Sequence, residues 1–117
     1  MSITFTNDSA SISTTEYSIL DKTTTGVPIA HTTDGCYQIF LDLSNLALGD
    51  QYQFRIYEAY SGASGTARLI EEWTFSGDQS KDGFMSPSFI LGEGFDFTMK
   101  RLAGSDRTIY WSIRYAA

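Results

Sequence analysis

Apolar and polar residues alternate one by one through most of this chain, and no long stretch repeats them at the spacing of an amphipathic helix. Side chains of a strand point to opposite faces in turn, so this period builds half-buried strands. Parallel strands need a crossover connection, usually helical, and none is visible. The pattern therefore predicts an all-β fold of antiparallel strands. In residues 36–43, Tyr37, Ile39, Leu41 and Leu43 share one face, while Cys36, Gln38, Phe40 and Asp42 share the other. In residues 51–60, Tyr52, Phe54, Ile56 and Glu58 form the expected core face, which leaves Arg55 and Tyr57 as an exposed pair. Residues 67–75 place Leu69, Trp73 and Phe75 on one side. Glu71 falls on that same side, which marks a bulge or a departure from cover.

Further strands are expected at 3–6, 10–13, 16–20 and 85–91, the last with Pro87 at an edge or strand start. Residues 95–102 and 107–115 read as a closing hairpin across Ala103-Gly104-Ser105-Asp106. Residues 21–35 form a long polar connection with Gly26 and Pro28, closed by Asp34-Gly35. Residues 61–66 form a Gly/Ser hairpin loop, and residues 77–83 a polar turn. Eight or nine short strands make an antiparallel β-sandwich, with the jelly roll as one form of it. Residues 16–117 are expected to be one sandwich domain, and residues 1–15 an N-terminal arm or edge strands.

A chain of 117 residues with 42% apolar and 15% aromatic content has the material for one core. Its net charge of −6 argues against nucleic acid and anionic membrane surfaces as partners, because both select basic footprints. No apolar run reaches the roughly 18–20 residues that span a bilayer. The opening residues carry no basic-then-apolar signal pattern. Cys36 is the only cysteine, so no intrachain disulfide can form, and synthesis in a reducing cytoplasm is expected.

The residue types of catalysis are present but scattered. His31 beside Asp34 is the one pairing that suggests a general base, and a solvated loop imidazole is the expected reading. Cys36 would be a nucleophile only with a base brought to it in space, and a small buried or half-buried thiol is expected. Gly92-Glu93-Gly94 precedes no helix and makes a poor phosphate loop. Glu71 and Glu72 face opposite sides of a strand, so they do not form a glycosidase pair, and Asp96 is expected to be an exposed acid. One His and one Cys give no metal-ligand spacing. The expectation is a protein that is not an enzyme and needs no cofactor or metal. Contact residues are then sought among aromatic and basic side chains and the arm: Ile3, Phe5, Arg55, Tyr57, Tyr60, Tyr110 and Arg114.

Three stretches carry a family likeness. Residues 41–58 (LDLSNLALGDQYQFRIYE) and 94–114 (GFDFTMKRLAGSDRTIYWSIR) resemble recurrent patterns in small virion proteins of tailed bacteriophages. The opening is similar too: a Ser/Thr-rich stretch over 9–15, then Glu16-Tyr17-Ser18 and Thr33-Asp34-Gly35. The resemblance implies a capsid decoration (cement) protein on the outer capsid surface. Its partners would be the major capsid protein and its own copies, as a trimer or dimer. A tail or fibre component, or a carbohydrate-binding sandwich that stacks sugars on its tyrosines, is the alternative.

Overall fold

A computed structural model describes residues 2–24, 31–60, 62, 65–77 and 82–117. The expected turn residues Gly26 and Pro28, and parts of the 61–66 and 77–83 loops, lie outside these. The described residues form ten strands. They are β1 (Ile3–Ile12), β2 (Tyr17–Ser18), β3 (Thr23–Thr24), β4 (Gly35–Asp42), β5 (Gln51–Ala59), β6 (Ala67–Ser76), β7 (Gly83–Met85), β8 (Phe89–Leu91), β9 (Phe95–Ala103) and β10 (Arg107–Ala116). Every pairing is antiparallel.

Two sheets pack face to face. Sheet A runs β1-β10-β4-β7, with β8 also on β4, and sheet B runs β3-β2-β9-β5-β6. Apart from β2–β3, the β5–β6 hairpin and the β7–β8 break, each connection crosses from one sheet to the other. This is the wrapping of a jelly roll, the sandwich form that the alternation foresaw. Residues 95–102 and 107–115 do not pair as the expected hairpin. β9 lies in sheet B and β10 in sheet A, because each carries its own apolar face toward the core from opposite sides.

Alternate residues of both sheets fill the core. Ile39, Leu41, Ile109, Trp111 and Ile113 come from sheet A, and Tyr52, Phe54, Ile56, Phe97 and Met99 from sheet B. Phe54 is the aromatic hub, stacked on Trp73 at 5.6 Å and tilted against Phe97 at 6.0 Å. Such ring pairs add to what burial alone contributes.

Local chemistry accounts for three departures from the sequence reading. The strands expected at 3–6 and 10–13 merge into one ten-residue strand that ends at Ile12 and pairs without a break to β10. Pro87 splits the strand expected at 85–91 into β7 and β8. Ser86 bridges the break: its N–H donates to Ile39 O, and its Oγ accepts the Ile39 N–H at 3.0 Å. The β6 bulge falls at Ile70, because Ile56 opposes Glu71 while Tyr57 opposes Leu69. Leu69 thereby moves to the outer face, away from Trp73 and Phe75.

The crossing from β9 to β10 is pinned to the start of β5. The Tyr52 hydroxyl donates to Ser105 O at 2.8 Å and accepts from Arg107 N at 2.7 Å. The Asp50 carboxylate accepts from Ala47 N, Ser105 N and Arg107 Nε. These bonds hold its carboxyl at about 2, well below the usual 3.8. Gly104, at φ 89°, lies where a Cβ would strike Asp50.

Candidate interaction surface

The outer face of sheet A is not polar in the way a solvated sheet face ordinarily is. The registers place Ile3, Phe5, Asn7 and Ser9 of β1 beside Ala116, Arg114, Ser112 and Tyr110 of β10. The β10 residues lie beside Cys36, Gln38, Phe40 and Asp42 of β4. Met85 of β7 opposes Phe40, and Ile90 of β8 opposes Cys36. Period-2 geometry puts all of these on one surface. Ile3, Phe5, Met85, Ile90 and Tyr110 are exposed there, Phe5 at 58% and Ile90 at 87%.

Arg114 occupies the middle. Its guanidinium lies 5.4 Å from the Phe5 ring centroid and 5.8 Å from that of Phe40. It donates to Ser112 Oγ at 3.2 Å and contacts Met85 Sδ at 3.1 Å. The ion pairs among the described residues do not include it. A cation between ring faces is positioned by their quadrupoles and keeps donors for a partner. Two open depressions meet at this side chain. One is about 150 Å³ and is lined by Ile3, Cys36 and Gln38. The other is about 380 Å³ and is lined by Phe5, Phe40 and Tyr110.

Four of the seven expected contact residues, Ile3, Phe5, Tyr110 and Arg114, thus share one face. Tyr60 stands apart at the end of β5, 93% exposed. Arg55 and Tyr57 lie on the outer face of the other sheet, and there the expectation of an exposed pair is corrected: Tyr57 is only 8% exposed. Arg55 Nη1 donates to the Tyr57 hydroxyl at 3.0 Å and lies 3.9 Å from Glu16. Arg55 Nε lies 2.8 Å from Glu72, off hydrogen-bond geometry, so that contact is electrostatic rather than directional. Burial, and then the Glu16 carboxylate, push the Tyr57 hydroxyl up. Thr98 donates to Glu16, and Ser18 donates to Asp96, which is buried and not the expected exposed acid. Apart from Arg55 Nε, these groups satisfy one another and stiffen sheet B.

Phe40, Met85 and Ile90 lie on the same face and were not among the expected contact residues. Phe40 carried a signal, an aromatic on the outward phase of a clear strand. Met85 and Ile90 did not, because their facing depends on the break at Pro87. His31 takes part in a backbone bridge to Phe95, and the described residues hold no cluster fit for a metal ion. No described helix is long and apolar enough to cross a membrane.

No protein-family model matches the chain, and no curated protein matches it. Among solved structures, the chain is similar to a subunit of Bacillus endospore appendages, described as a novel family of disulfide-linked pili. The match covers 98% of this chain and 87% of that one, with a TM-score of 0.51 and 13% identity. At that identity the shared feature is the fold.

Proposed function

We propose that this chain is a non-enzymatic structural subunit of a particle surface, a capsid decoration protein that bridges neighbouring major capsid subunits. The observation that carries the reading is the outer face of sheet A, with its exposed apolar side chains around Arg114. Large apolar side chains gathered on one face mark a contact surface. A central arginine ringed by aromatics is the composition of an interface hot spot. The likeness to small phage virion proteins at residues 41–58 and 94–114 supplies the kind of particle. Binding across subunits only in the mature lattice stabilises that lattice by mass action. Many weak copies add through avidity.

The test is addition of purified protein to expanded capsids that lack it. Binding together with a raised capsid rupture temperature supports the reading. Capsids that neither bind it nor gain stability overturn it. The pilus-type neighbour favours a second reading, a subunit of an extended appendage built from copies of itself. Filament formation by the purified chain alone would select that reading. Sugar-dependent quenching of tryptophan fluorescence would instead support the carbohydrate-binding alternative.

A further inference from the structure

The sheets expose four kinds of edge, and three are protected against pairing. β3 is two residues long, and β7 and β8 are three each with Pro87 between them. β6 is ten residues long but carries the bulge at Ile70 and the exposed charges Arg68, Glu71 and Glu72. Short length, proline, bulges and charge are the devices that keep sheet edges from joining other chains. β1 has none of them over its first half. It pairs with β10 in unbroken register, has no Pro or Gly, and is uncharged from Ile3 to Asn7. Residues 2–8 are exposed on both faces of the strand.

We infer that β1 is a self-association edge: it pairs antiparallel with β1 of a second copy about a twofold axis at Phe5, joining the two A sheets into one. Opposed residues of an antiparallel pair both point their backbone groups at the partner or both point them away. Only residues of like parity along β1 can therefore oppose each other across the new pair. The register centred on the uncharged run sets Phe5 against Phe5, Thr4 against Thr6, and Ile3 against Asn7. Aromatic and Thr–Thr cross-strand pairs are favourable. Asp8 is already held by Lys22 at 2.9 Å and falls opposite Ser2, so the two aspartates do not meet. An identical strand is the occupant that fits. It needs no opposite charge, and it is self-complementary in this register. The axis stands normal to the sheet, so both copies turn their Arg114 faces the same way and present one doubled surface. The pairing stands whether or not the chain belongs to a capsid.

The test uses the purified full chain. Sedimentation velocity over a broad concentration series should show a reversible monomer–dimer equilibrium. Phe5→Lys places two cations opposite each other and removes the ring pair, and we expect at least about tenfold weaker association. Phe5 is half exposed, so the variant keeps its fold, which circular dichroism checks. In a Cys36→Ser background, oxidation should cross-link Phe5→Cys into dimers, because directly opposed Cα atoms lie within disulfide reach. Ser11→Cys, beyond the paired segment, should not cross-link. A wild type that stays monomeric, a ladder of higher oligomers, or equal cross-linking at both positions would overturn the inference.

Discussion

Replacing Tyr52 by Phe isolates one hydroxyl at the place where the chain passes from sheet B to sheet A. The ring is fully buried and stays so in the variant. Lost are the bonds from Arg107 N at 2.7 Å and to Ser105 O at 2.8 Å, with a longer approach to Ile12 O at 3.4 Å. Leaving a buried donor or acceptor unpaired costs about 1–3 kcal/mol. The Arg107 and Ser105 contacts are only part-buried, so water reaches some of the deficit. A loss of about 2 kcal/mol follows, which for a domain of this size is a fall of roughly 8 °C in Tm. Urea unfolding measures it as a lower midpoint at constant slope. Tyr110→Phe, on the exposed face, serves as the control and should stay within about 0.5 kcal/mol of wild type. Asp50 holds the same crossing, so Tyr52→Phe and Asp50→Asn should be non-additive in a double-mutant cycle. A Tyr52→Phe loss no larger than that of Tyr110→Phe would refute the idea that this latch carries the sheet crossing.

Acid should weaken the same latch: Asp50 is held at about 2 against 3.8, so its contribution is complete above pH 3.8 and is lost as pH falls toward about 2. Asp50→Asn should flatten that limb of a stability–pH curve. Phe54→Ala empties the aromatic hub and should cost about 3–5 kcal/mol by urea unfolding. Burial, with Tyr115 and Asp34 nearby, pushes the Tyr37 hydroxyl up to about 12. The folded state then binds the proton more tightly, so this stabilisation declines as pH rises from 10 to about 12. An absorbance titration of Tyr37→Phe should lack the last phenolate phase.

The sequence resolved those elements whose alternation is unbroken. In β4 every core residue was foreseen, because a one-residue slip would turn Ile39 or Leu41 to solvent. Sequence period says which residues share a face, not what covers that face. Tyr57 and Asp96 were read as exposed for that reason. Partners far along the chain close over them: Glu16 lies against Tyr57, and Ser18 donates to Asp96. The closing hairpin was misread on similar grounds. A four-residue loop fits a hairpin or a crossing between sheets, and the Asp50–Tyr52 latch that selects the crossing lies more than fifty residues away. Four of the expected contact residues share the outer face of sheet A because apolar, aromatic and basic side chains at outward phase are legible locally. Met85 and Ile90 waited on the break at Pro87.

The most direct measurement is an image reconstruction of expanded capsids incubated with the purified chain. The expected density is a regular array over the shell, with Phe40 and Arg114 turned toward the capsid subunits and lost in Arg114→Glu. Density confined to a single vertex, or sheet A turned to solvent on a bound shell, would contradict the assignment of this face as the docking surface.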